Sequence, residues 1–335
     1  MVKHFTIPIF IPELACPFQC VFCDQRKISG SLKAPCVEEV EETIKEYLQT
    51  IPKDDSQIEI GFFGGNFTGI PKDEQTAFLE VAQKYVDSKQ VHSIRLSTRP
   101  DYISNDVLSY LKGFSVKTIE LGAQSMDETV LIQSGRGHSV QDVIDSSKMI
   151  QEAGFRLGLQ MMLGLPADTQ EKSLETAKQI IALNPKDVRI YPTLVIKGTD
   201  LAELFHNTKY KPLSIQEAVE WTKPIYSLFD EAKINIIRVG LHPSEELTDH
   251  KSLLAGPFHQ SFRELVLTEL WRDRLNEKLE FSKSKSVIIY VAASQLNYAV
   301  GYKSSNKRML EKRFEAVKIK IDQKLINYSF YADSY

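Results

Sequence analysis

The sequence predicts an α/β protein, a partial TIM barrel of (βα)6 type followed by a small α+β domain. Three observations carry that expectation. Apolar runs of strand length alternate with amphipathic runs of helix length as far as about residue 232, the pattern of parallel βα units. Six such units can be counted, fewer than the eight that close a barrel. Residues 281–335 then repeat neither the period nor the charge of what precedes them.

In order, strands are expected at 5–11, 57–63, 91–98, 116–122, 155–163 and 187–194, with another at 234–241. Helices are expected at 36–50, 73–88, 104–112, 140–153 and 169–183, and from the segment 255–264 to about 280. Paired glycines or Pro-Asp and Gly-Pro type breakers punctuate the joints. The expected domains are 1–280 and 281–335.

The 335 residues are 42% hydrophobic and 25% charged with a formal net charge of −3, the balance of a water-soluble globular chain. No apolar run is long enough to span a bilayer, and the one at the N-terminus is broken by Pro8 and Pro12 without a signal-type cleavage site. No membrane partner is expected. Residues 281–335 hold ten Lys or Arg against four Asp or Glu, a local +6, so the remainder carries −9. A basic element of this kind suggests a phosphate-bearing partner.

Three of the four cysteines, Cys16, Cys20 and Cys23, fall directly after the first strand with the spacing Cys-x3-Cys-x2-Cys. A structural zinc site wants four ligands, and no second Cys or His pair follows at a matching spacing. Three thiolates can instead hold a four-iron cluster with one iron left open for chemistry. A zinc site lacking a ligand, or three buried structural cysteines, are the alternatives. Clustered thiolates argue against a disulfide framework and for a reducing interior, so a cytoplasmic location is expected. Cys36 precedes Val37-Glu38-Glu39 and is expected to cap or pack the first helix.

Cys16-x3-Cys20-x-Phe22-Cys23 resembles the cluster loop of the radical S-adenosylmethionine (SAM) enzymes. That resemblance implies a [4Fe-4S] cluster held by the three cysteines, SAM chelated to the open iron, an electron donor such as a flavodoxin or ferredoxin, and a 5′-deoxyadenosyl radical. Gly64-Gly65-Asn66-Phe67-Thr68 resembles the superfamily's Gly-Gly motif, which takes the SAM amino group. Ser97-Thr98-Arg99, Glu120 to Gln124 with Arg136, Gly158 to Pro166 with Gln160 and Met162, and Val188 to Thr199 with Tyr191 and Lys197 resemble the radical SAM domain of the Elongator catalytic subunit. They resemble the oxygen-independent coproporphyrinogen oxidases more distantly. Through these matches Phe22, Gly64, Gly65, Asn66, Thr68, Ser97, Arg99, Gln124, Arg136, Gln160, Met162 and Tyr191 are expected at the cofactor. This chain departs from its relatives at Gln160 and Ser97, where they carry carboxylates.

Lys197, His259 and Arg263 are candidate substrate contacts, the last two because they stand four apart on a nascent helix. The C-terminal pattern of strand, helix, helix, strand resembles a KH module, whose Gly-x-x-Gly loop clamps a nucleic-acid backbone. Here the loop reads Gly301-Tyr302-Lys303-Ser304, with Lys307 and Arg308 on the next helix. The expected function is therefore a radical SAM enzyme acting on RNA, tRNA foremost. The alternatives are a radical SAM enzyme acting on a small metabolite or porphyrinogen, and a non-enzymatic, metal-stabilised RNA-binding protein.

Overall fold

The structure, a computed structural model, describes residues 3–12, 20–24, 27, 33–52, 56–241, 249, 251–279 and 285–334. It divides into two compact units, 1–218 with 225–260, and 219–224 with 261–335.

The first unit is built on seven parallel strands in the order of the chain: β1 (Lys3–Ile11), β2 (Ser56–Gly64), β3 (Ser93–Thr98), β4 (Val116–Gln124), β5 (Arg156–Leu163), β6 (Asp187–Pro192) and β8 (Asn235–Val239). Between them run α1 (Val37–Thr50), α2 (Lys72–Asp87), α3 (Asn105–Leu111), α4 (Glu128–Gln133), α5 (Val140–Glu152), α6 (Gln170–Ala182), α7 (Asp200–His206) and α8 (Ile215–Glu231). The result is the curled, open half-barrel that strand counting predicted, with the additional strand paired in the same sheet. Several features lay outside the sequence reading. α4 falls in what reads as loop, α7 and α8 lie where no helix was placed, and Val195–Ile196 (β7) leaves the main sheet to pair antiparallel with Leu253–Ala255 (β9).

Local chemistry fixes where the helices start. Ser104, Asp127, Ser139, Thr169, Thr199 and Ser214 each accept a bond from a backbone N–H in the first turn. Cys36 occupies the equivalent place before α1, its N–H held by the Glu39 carboxylate at 2.8 Å, as expected of a residue outside the cysteine triplet.

Alternation along the strands separates two faces. Ile7, Ile9, Ile60, Phe62, Ile94, Leu96, Ile119, Leu121, Leu159 and Ile190 are buried and form the apolar layer. The alternate positions, Thr6, Glu59, Arg95, Glu120, Asp187 and Arg189, face the inside of the curl, where they make one continuous polar chain. Thr6 donates to Glu59, and Arg95 pairs with Glu59 at 2.9 Å, Glu120 at 2.8 Å and Asp187 at 2.9 Å. Glu120 also pairs with Arg189, and Asp187 with Arg156 and Asn235. Every strand of the sheet contributes at least one member. Burial opposes the Arg95 charge, yet its three carboxylates hold its pKa above the usual value. Glycine makes room for this chain, since a Cβ on Gly158 would meet Glu120 Cγ at 2.6 Å.

The second unit packs α9 (Phe262–Leu279) on a three-stranded mixed sheet. Its elements are β10 (Ser286–Val291), α10 (Leu296–Val300), α11 (Ser305–Glu311), β11 (Ala316–Ile321) and β12 (Phe330–Ser334), with strand order β11-β10-β12. Trp271, Leu275 and Leu279 of α9 share one core with Val287, Ile289, Val291, Ala299, Leu310 and Phe314. The boundary therefore falls at 260/261 and not at the expected 280/281, because the apolar face of α9 is buried among β10 and its helices. The strand, helix, helix, strand order is as read, while β12, antiparallel to β10, was not foreseen.

Candidate active site

At the C-terminal ends of the half-barrel strands lies a cavity of about 790 Å3. Cys20, Phe22, Cys23, Gly64, Gly65, Ser97, Gln124, Arg136, Gln160, Met162 and Tyr191 line it together, so the structure gathers most of the expected cofactor residues in one place. Cys16 lies outside the described residues.

The end of the cysteine loop is pinned by main chain. Val21 N–H donates to Ser134 O at the end of α4, Val21 O accepts from Leu201 N–H of α7, and Cys23 N–H closes a turn on Cys20 O. Gly64 has φ +116°, and a Cβ there would meet Ile11 O at 2.3 Å, so only glycine lets β2 end against β1. Gly122 plays a second opening role: a Cβ would lie 2.8 Å from both Arg136 Nη2 and Gln124 Nε2.

Arg136 is a buried cation at the cavity. Its Nη1 donates to Cys20 Sγ at 3.4 Å and its Nη2 to Gly122 O at 2.7 Å, while its buried Nε has no hydrogen-bond partner among the described residues. Arg99 holds the Arg136 main chain by a 2.8 Å bond to its carbonyl and is itself held by Asp101. Gln124 takes a left-handed φ of +65°, a costly conformation for a non-glycine residue, and its Oε1 accepts from Gln160 Nε2 at 3.1 Å. Two neutral amides thus pair side by side at the cavity. Ser97 is likewise engaged, donating to Glu120 Oε1 at 3.3 Å.

Several expected contacts fall elsewhere. Asn66, Thr68 and Arg99 do not line the cavity. Asn66 Oδ1 accepts from Thr98 Oγ1, and Thr68 bonds Thr98 Oγ1 and Tyr102 O, so these residues tie the turn after β2 to the turn after β3. Lys197 is exposed and away from the cavity, its N–H bonded to Ser252 O across the β7–β9 pair. His259 precedes the helix, which starts at Phe262, so the expected shared helical face with Arg263 does not exist, and neither residue lines the cavity. In the second unit Lys303 and Arg308 are exposed, and Lys307 pairs with Glu311 at 3.6 Å. Ser304, in place of a second glycine, adopts φ +59° after Lys303 at +49°, so the loop keeps a left-handed backbone without glycine there.

Sequence reasoning missed Arg95, Glu120, Arg189 and Arg238, all of which line the cavity. The first three form its polar floor, and Arg189 also lies over the Phe63 ring at 5.0 Å. The available signal was a single charge inside an otherwise uncharged stretch of β3, and the alternate charges Asp187 and Arg189 on β6.

His138, two residues beyond Arg136, is buried and bonded to Ala123 O at 3.2 Å. Burial, with Arg136 and Arg99 adding to it, lowers its pKa to about 3, so it is neutral in the folded protein. A histidine depressed on folding contributes stability above its unfolded pKa of about 6.5 and loses it as pH falls toward the folded value. Stability measured by urea unfolding is therefore expected to fall between about pH 6.5 and pH 3, and His138→Asn to flatten that limb. An unchanged slope in the variant would assign the acid sensitivity to other groups.

The sequence profile described as the Radical SAM superfamily matches residues 11–180, and that of the Radical_SAM C-terminal domain matches 185–272. An uncharacterized protein of Methanocaldococcus jannaschii is 31% identical over 225 residues, 63% of this chain and 67% of its own length. The tRNA uridine(34) acetyltransferase of Methanocaldococcus infernus is 30% identical over 195 residues, covering 52% of this chain and 36% of that protein. Elongator complex protein 3 of Homo sapiens is 29% identical over 203 residues, covering 55% and 37%. The chain thus spans little more than a third of the length of those two relatives. Among solved structures, the archaeal Methanocaldococcus infernus Elp3 with an N-terminal deletion superposes with a TM-score of 0.66 at 21% identity, over 84% of this chain and 65% of that one, a likeness of fold. Since the first profile alone spans half of the residues and Cys20 and Cys23 line the cavity, the chain is an enzyme of the radical SAM superfamily.

Proposed function

We propose that this enzyme binds a [4Fe-4S] cluster and SAM in the half-barrel cavity and modifies RNA, most directly tRNA, in the cytoplasm, with a flavodoxin or ferredoxin as electron donor. One observation carries the cofactor part: Cys20, Cys23, Gly64, Gly65, Gln124 and Arg136 line a single cavity at the strand ends. The donor set fits these groups. Thiols suit iron, and the buried Arg136 Nε is a donor without a partner among the described residues, beside a glycine-lined backbone.

Cys20 and Cys23, with Cys16, would hold the cluster, and the Gly64-Gly65 main chain the amino group of SAM. Arg136 would offer its remaining donor to the methionyl carboxylate. Gln124 and Gln160 would present neutral amides to the ribose, and Phe22, Met162 and Tyr191 the wall. The bound cofactors would supply hydrogen-atom abstraction, the hard chemical step. The chain's own contribution is to orient SAM over a floor whose charges are already paired.

The names of the tRNA uridine(34) acetyltransferase and Elongator relatives support an RNA substrate, as does the basic segment 281–335. Its turn at Lys303 is read as a KH-like backbone clamp. Anaerobic, reduced protein is expected to release 5′-deoxyadenosine from SAM, and total tRNA from cells with and without the gene to differ in a modified nucleoside. Changing Lys303, Lys307 and Arg308 together to Glu should weaken tRNA binding about tenfold or more at low salt, since phosphate contacts dominate such affinity. Equal affinity of the triple variant would withdraw the clamp and favour a small-molecule substrate.

A further inference from the structure

The sheet of the second unit has one face on the helices and one face that none of the core residues covers. On β10, Val287, Ile289 and Val291 are buried in the core, so Ile288 and Tyr290 point to the opposite side. Strand register then fixes their neighbours. Tyr290 stands between Lys320 of β11 and Tyr331 of β12, and Ile288 between Lys318 and Asp333.

The Tyr290 and Tyr331 rings stack with centroids 4.7 Å apart and planes 15° from parallel. Tyr331 is 39% exposed, and its hydroxyl donates to Asp322 at 3.0 Å. Lys318 and Lys320 are both exposed. Neither tyrosine belongs to the buried core; the two form a cross-strand stack on the sheet face away from it.

We propose that this face is a stacking platform for single-stranded RNA, in which a base extends the Tyr290–Tyr331 stack and Lys318 and Lys320 take phosphates. The proposal rests on the RNA reading above and deepens it. Charge complementarity selects the occupant: a segment with a local +6 suits a polyanion, and every base offers a π-face to an ordered ring pair. The platform lies on the side of the sheet opposite the helices, whereas Lys303, Lys307 and Arg308 belong to the helical layer. The two surfaces can therefore be tested separately.

The test uses the full chain and a fluorescein-labelled oligouridylate of about 12 nucleotides, within the span that such platforms engage. Anisotropy titrations should show Tyr290→Ala with Tyr331→Ala binding about tenfold more weakly than wild type, and Tyr290→Phe with Tyr331→Phe binding as wild type. Lys318→Ala with Lys320→Ala should reduce the salt slope by about 1.4, the value for two single-strand phosphate contacts. A single Tyr331→Ala variant, at an exposed position, keeps the test decisive if the double variant does not fold. Wild-type affinity in the alanine variants, a loss in the Phe pair equal to that in the Ala pair, or displacement of the RNA by polyglutamate as readily as by unlabelled RNA would overturn the platform. If the Lys303, Lys307 and Arg308 triple variant weakens binding while the tyrosine variants do not, the RNA reading stands and the platform falls.

Discussion

Cys20→Ala and Cys23→Ala are each expected to abolish iron retention after anaerobic reconstitution, while Cys36→Ala retains the wild-type content. Cys20 and Cys23 stand on the cavity wall within one backbone turn, whereas Cys36 is exposed and committed to the start of α1. Removing one thiolate from a three-cysteine set leaves two ligands and exposes iron to water, so the loss should be nearly complete and not graded. Iron and sulfide assay, with the visible absorption band of the cluster, reads the result. Loss of iron in Cys36→Ala with retention in Cys20→Ala would reverse the ligand assignment.

Arg95→Leu is expected to destabilise the fold by about 3–5 kcal/mol, because it strips one partner from three buried or half-buried carboxylates. Glu120 and Asp187 have side-chain exposures of 5% and 1%, so neither can be rescued by solvent. The loss should appear as a lower urea midpoint with an unchanged slope. Replacing Arg95 and its partners together with apolar residues would cost less, since an unmade pair is cheaper than a broken one. A change under about 1 kcal/mol in Arg95→Leu would mean that the interior is wet enough to screen the charges.

The half-barrel was legible in the sequence because parallel strands buried against helices announce themselves as apolar runs. Residues that line its cavity were legible where a motif constrains backbone, as at Gly64-Gly65, or lists reactive atoms, as at Cys20 and Cys23. The inward charges were not, because Arg95 or Glu120 alone reads as an exposed residue and its partners lie on other strands, 92 positions apart for Arg95 and Asp187. Asn66, Thr68 and Arg99 were expected at the cofactor through resemblance to family motifs. In the fold Asn66 and Thr68 tie two turns through Thr98, and Arg99 holds the Arg136 main chain, contacts that no sequence pattern announces. β12 went unread because Phe330 to Ser334 is short and lies at an edge of its sheet.

The seven strands of the first unit lie side by side in the order in which they are synthesised. Each new strand docks on the one made just before it, so the chain closes one crossover of 17 to 44 residues at every step. Because the entropy of closure grows with loop length, the sheet can lengthen from β1 onward at a nearly constant and modest cost. The ion pairs of Arg95 with Asp187 and of Glu120 with Arg189 are the exceptions: each joins strands that are not neighbours, so both wait until β6 has emerged, with β8 still to dock.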